Sequence, residues 1–136
     1  MKIIPIFAGG GTRLPAHLGV LKALDELNIT FEHLVGVSGG SIIASLYASG
    51  LTHGQIKEIA LNTNYKKFKG FSLLKLIRHG GLSSGDVFES WVDQHLKGKT
   101  FSELDKNLHI VAADVTKGQP VVFDQEKTPH MKVSQA

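Results

Sequence analysis

Apolar residues along the chain follow two rhythms, and the change from one to the other predicts its elements. Residues 2 to 8, Lys-Ile-Ile-Pro-Ile-Phe-Ala, are an almost unbroken apolar run ending at three glycines, the pattern of a buried strand. Pro5 has no N–H to give a ladder and implies a bulge or an unpaired position there. Beyond the loop, Leu18, Leu21, Leu24 and Leu27, with Val20 beside them, recur at helical spacing up to Asn28 and predict a helix of about three turns. His33-Leu34-Val35-Gly36-Val37 reads as a short strand, and Ser41 to Ala48 as a buried helix stopped at Gly50. Thr52 is placed to cap a further helix, and 86–96 predicts another with Ser84 before it as a cap. Residues 108–113 and 119–123 read as two strands joined by a polar turn at Thr116-Lys117-Gly118, and the stretch from Asp124 onward is polar.

Strand and helix alternate through the first fifty residues, which implies a parallel sheet with helices packed on it. The expected architecture is a three-layer α/β/α domain with a mainly parallel sheet. Neither a repeat nor a linker interrupts the 136 residues, so a single domain over 1–136 is expected.

Composition narrows the function classes. The net charge of +3 is too mild to demand a nucleic-acid partner, and none is expected. With no cysteine there are no disulfides, zinc-thiolate sites or thiol nucleophiles, and no metal centre is predicted. The apolar N-terminus is too short for the core of a signal peptide, and no run approaches the roughly 18 apolar residues that cross a bilayer. A cytoplasmic protein, peripheral to a membrane at most, is the expectation.

Gly36-Val37-Ser38-Gly39-Gly40 fits G-x-S-x-G in the context that gives this motif meaning, an apolar strand before it and a small-residue helix after it. A serine on so sharp a turn needs neighbours without bulky Cβ groups. Its hydroxyl then stands at the positive end of a helix, where developing negative charge is favoured. The glycine triplet Gly9-Gly10-Gly11 ends the first predicted strand just before a helix, where backbone N–H groups can converge on an oxyanion. In a parallel sheet both glycine loops open on the same edge, which ties the two motifs together. A dinucleotide site fits poorly: the third glycine of its fingerprint is replaced by Leu14, and no Lys-Ser or Lys-Thr pair follows.

Gly9-Gly10-Gly11-Thr12-Arg13-Leu14-Pro15-Ala16-His17-Leu18-Gly19-Val20-Leu21, followed by Gly36-Val37-Ser38-Gly39-Gly40-Ser41, resembles the patatin-like phospholipase family across the first fifty residues. Ala112-Ala113-Asp114-Val115-Thr116-Lys117-Gly118 with Val121-Val122-Phe123 looks like that family's next strand pair. The resemblance implies a lipid-ester hydrolase without metal or cofactor, with Ser38 as nucleophile. Gly9, Gly10, Gly11, Thr12 and Arg13, together with Gly39, would then form the oxyanion and substrate-binding loop. Leu14 departs from the family, which usually has glycine there. A larger departure is that no Asp-Gly-Gly or Asp-Gly-Ala, the family's site of the dyad aspartate, occurs in the sequence. On that ground the expectation is a patatin-like domain shortened at its C-terminal end.

Asp114, at the end of a predicted strand on the same sheet edge, is the local candidate for the base. An aspartate in a strand-to-turn step more often bonds its own turn, and its ordinary pKa makes it a weak base. His109 and His130 are the candidates for a Ser-His-Asp triad, although hydrolases of that kind place the nucleophile after several strands. His17 and His33 flank the motifs and read as structural, and Phe88, Trp91 and Leu96 as core. Residues 66–78 hold five of the fifteen Lys and Arg residues. No acid lies between Glu58 and Asp86, which makes this a basic, apolar insert. It suits either an anionic lipid surface, with Phe68, Phe71, Leu73 and Leu74 inserted, or a helix packed on the core. The expected partner is a lipid or ester substrate. The competing reading is a non-catalytic lipid-binding or regulatory fragment that lacks the base, and a shortened sheet would leave an edge prone to dimerisation.

Overall fold

Among the described residues four strands form one sheet, in the order β1-β2-β3-β4. The computed structural model describes residues 2–10, 13–64 and 85–136. In chain order these are β1 (Ile6–Phe7), α1 (Pro15–Glu26), β2 (His33–Val37), α2 (Gly39–Ala48), α3 (His53–Asn62), α4 (Gly85–Leu96), β3 (Asn107–Asp114) and β4 (Gln119–Phe123). Short 3-10 turns occupy Phe101–Glu103 and Val133–Gln135. β1, β2 and β3 run parallel, with Ile6 opposite Val35 and Val37 opposite Val111, whereas β4 returns antiparallel to β3. The sheet is thus mixed and mainly parallel, and the α/β class stands as expected.

Local chemistry fixes most boundaries. Pro15 opens α1 at a position where its missing N–H costs nothing. The helix ends at Leu27 because Asn28 takes a left-handed φ of 53° and the Ile29 N–H donates back to the Leu24 carbonyl at 2.9 Å. Gly50 closes α2 in the same way, with φ 97° and the Leu51 N–H on the Leu46 carbonyl. Thr52 and Gln55 form a full capping box on α3, which contributes about 1 kcal/mol to that helix. The cap expected from Ser84 lies outside the described residues.

β1 is shorter and less buried than the apolar run suggests. Only Ile6 and Phe7 pair as strand, and Ile4 and Ile6 are 59% and 67% exposed. Among the described residues β1 is an edge strand, with β2 as its one neighbour in the ladder. Pro5 still takes part through its carbonyl, which accepts from the Val35 N–H at 2.9 Å.

Side chains alternate across the sheet. One face carries Phe7, Leu34, Leu108 and Ile110, all buried, and packs with Leu21, Ile43, Ala44, Leu46 and Ile56 of the helices into a single core. The opposite face carries Ile6, Val35, Val37, His109 and Val111.

Candidate active site

Ser38 joins β2 to α2 with φ 52° and ψ −133°, a backbone conformation that a residue with a Cβ adopts only at a cost of about 1–3 kcal/mol. The surrounding contacts hold it there. A Cβ on Gly36 would come 2.5 Å from the Ser41 Cα, and one on Gly40 would overlap the Phe7 carbonyl, so strand and helix meet more closely than any larger residue allows. The Ser38 carbonyl accepts from the Ser41 N–H at 2.9 Å and from the Ser41 hydroxyl, which closes the first turn of α2. The result is an exposed serine at the N-terminus of a helix, with the first-turn amides of Gly39 and Gly40 directed along the axis towards it.

The glycine loop lies beside that serine. A Cβ on Gly9 would stand 3.0 Å from the Ser38 Cβ and 3.3 Å from its Oγ. The Arg13 N–H donates to the Gly10 carbonyl at 2.9 Å, curling the loop towards α1, while the Arg13 residue is exposed. His17 bonds through Nε2 to the Ala8 carbonyl at 2.8 Å and sets its ring edge-on to Phe7, with centroids 5.4 Å apart. It ties α1 to the residue immediately before Gly9. Gly11 and Thr12 lie outside the described residues. Thus Gly9 comes against Ser38, and Gly10 is held to Arg13 beside it.

Asp114 reaches that edge but is engaged elsewhere. Its Oδ1 accepts from the Thr116 and Lys117 N–H groups at 2.9 and 3.1 Å, and its Oδ2 is 3.9 Å from the Lys117 ammonium. It also lies three residues, about 10 Å, beyond Val111, the partner of Val37. Among the described residues no carboxylate or imidazole hydrogen-bonds the Ser38 hydroxyl.

The histidine candidates are held away from the serine. His109 stands level with Val35 in the ladder, and its Nδ1 lies 3.4 Å from Asp124 Oδ2 while its Nε2 lies 3.2 Å from His33 Nδ1. The two imidazoles stack with centroids 5.6 Å apart. His130 is exposed in the loop before Val133–Gln135. Neither completes a triad with Ser38. Asp124 is the residue that sequence reasoning passed over. It is 5% exposed, and its Oδ1 accepts from the Glu126 and Lys127 N–H groups at 3.1 and 2.8 Å. Burial opposes its charge, but the Lys127 amide, His109 and the Glu126 amide outweigh burial and hold the carboxyl below the usual aspartate range. Asp25 likewise gathers Tyr47 and His53, each at 2.9 Å, where α1, α2 and α3 meet. Burial first, and then the Asp25 carboxylate, push the Tyr47 phenol up to about 12.

Leu96 is buried, and Phe88 and Trp91 are half-buried against the core, as expected of core positions. A cavity of about 620 Å³ opens between α3 and α4, lined by Gln55, Ile59, Trp91 and His95 among others, and no residue of the elbow or the glycine loop borders it. The basic insert at 66–78 lies outside the described residues. Among the described residues no helix is long and apolar enough to cross a membrane, and no cluster of His, Asp and Glu is arranged to hold a metal ion.

A mixed α/β sheet with a strained serine elbow facing a glycine loop defines the class. Residues 6–136 match the patatin-like phospholipase family, and the chain belongs to it. It is 31% identical to the uncharacterized protein YqhO of Bacillus subtilis over 140 residues, covering 93% of this chain and 48% of that protein. It is 39% identical to the lysophospholipase NTE1 of Eremothecium gossypii over 59 residues, 40% of this chain and 4% of that one. The fold matches that of ExoU from Pseudomonas aeruginosa, solved in complex with SpcU, with a TM-score of 0.71 at 22% identity over 98% of this chain and 37% of ExoU. The chain therefore spans about half the length of YqhO and a smaller share of the others.

Proposed function

We propose that this chain carries the nucleophile and oxyanion-binding half of a serine hydrolase acting on lipid carboxylic esters. The observation that carries the reading is the strained Ser38 with Gly9 against its hydroxyl. Ser38 Oγ attacks the ester carbonyl, and the oxyanion is held by backbone N–H groups of the Gly9 to Gly11 loop and of Gly39, at the positive end of α2. The carbonyl then re-forms, the bond to the alcohol breaks, and that alcohol leaves with the proton given up by the serine. Water cleaves the acyl-enzyme and restores Ser38. Thr12 and Arg13 border the loop as substrate contacts, and the basic insert at 66–78 is the segment suited to an anionic lipid surface.

Asp114 is the carboxylate on the same sheet edge. Its Oδ1 is held by the Thr116 and Lys117 amides and it lies three residues beyond the partner of Val37, so turnover by this chain is expected to be slow. That engagement favours one second reading, a lipid-binding or regulatory module that keeps the pocket and lacks the base. Hydrolysis of p-nitrophenyl esters and lysophosphatidylcholine by the purified chain separates them. Ester cleavage that is lost in Ser38→Ala supports the hydrolase, whereas lipid binding without cleavage supports the module.

A further inference from the structure

Gly39 has an apolar neighbour that the chemistry above does not use. A Cβ on Gly39 would lie 2.9 and 3.0 Å from the two Leu14 methyl carbons and 3.4 Å from Leu14 Cγ, so the isobutyl group rests directly on this glycine. Gly39 follows Ser38 and supplies the first amide of α2. Leu14 is thus a wall one residue from the nucleophile, set against a proposed oxyanion donor. The wall is mounted on a helix end: Leu14 is the N-cap of α1, and its carbonyl accepts from the His17 N–H at 3.0 Å.

From this contact we infer that Leu14 is a specificity-determining residue, restricting the site to electrophiles whose substituents are unbranched beside the reacting atom. The inference rests on the proposed role of Ser38. A linear alkyl or alkoxy group can lie past the two methyls, whereas a branch at the first carbon must occupy their space. Removing a few methyl groups from such a wall changes discrimination by about 10-fold or more.

The test compares second-order labelling rates for two probes, diisopropyl fluorophosphate, branched at both alkoxy carbons, and an O-ethyl n-decyl fluorophosphonate, which is linear. Wild type, Leu14→Ala, Leu14→Val and the volume-conserving Leu14→Met are each checked for folding by circular dichroism. The expected result is that the branched-to-linear ratio rises about 10-fold in Leu14→Ala and by less in Leu14→Val, and stays at the wild-type value in Leu14→Met. An unchanged ratio in folded Leu14→Ala and Leu14→Val, with the linear probe still reacting, overturns the inference and leaves the Ser38 reading intact. Failure of both probes on the folded wild type overturns the Ser38 reading, and the inference with it.

Discussion

Gly9 sits against Ser38 so closely that a single added carbon would touch the serine hydroxyl at 3.3 Å. Two glycine turns, 29 residues apart by residue number, are thereby brought to one point by parallel pairing of β1 with β2, in which Phe7 stands opposite Gly36. The contact gives a direct handle on the site, because the Gly9 backbone lies outside the left-handed region and accepts a Cβ without conformational strain. Gly9→Ala is expected to slow labelling of Ser38 by about 100-fold, through displacement of the hydroxyl or of the loop amides. The thermal midpoint should stay close to wild type. Rate and melting measured on one preparation check both halves of the prediction.

His17 governs the approach of the loop. Losing its bond to the Ala8 carbonyl and its edge contact with Phe7 should cost about 1–2 kcal/mol in His17→Ala. Hydrogen exchange in the peptide spanning residues 6 to 14 should quicken more than in β2 and β3. His17→Gln offers a replacement donor and is expected to recover part of the protection. Uniform acceleration across the whole chain would show general destabilisation in place of a local tie.

The Asp124 carboxyl predicts a feature in acid. Its folded pKa lies below the ordinary 3.8, so its contribution to stability is fully present above that value and is lost as pH falls through the folded value. Asp124→Asn should therefore be less stable than wild type at about pH 7, and the two should converge below the ordinary aspartate range. Urea midpoints taken across that interval measure it. A gap that stays constant into strong acid would assign the loss to packing and not to charge.

What could be read from the chain divides along physical lines. β2, α2 and β3 were legible because each buries one face, and α2 is closed by Gly50; β4, which has no buried residue, was marked instead by the turn at Gly118, φ 62°, just before it. The elbow was legible because only small residues fit between β2 and α2. β1 was overread, since its exposure depends on being an edge strand, which no local pattern reveals. The chain of His33, His109 and Asp124 was not legible at all: its two histidines are 76 positions apart and meet only through the register of β2 on β3. Asp124 did carry a faint signal, a threonine four residues on, whose hydroxyl donates to the Asp124 carbonyl at 3.0 Å and closes the turn. For Asp114 the turn residues that follow it correctly favoured a bonded carboxylate.

The proposed function requires Ser38 to be an activated nucleophile within these 136 residues. Intact-mass analysis after incubation with the linear fluorophosphonate, on the folded wild-type chain and on Ser38→Ala, tests it most directly. The expected result is a single adduct on the wild type, mapped to the peptide containing Ser38 and absent from the variant. A folded wild-type chain that remains unmodified, or an adduct that persists in Ser38→Ala, would contradict it.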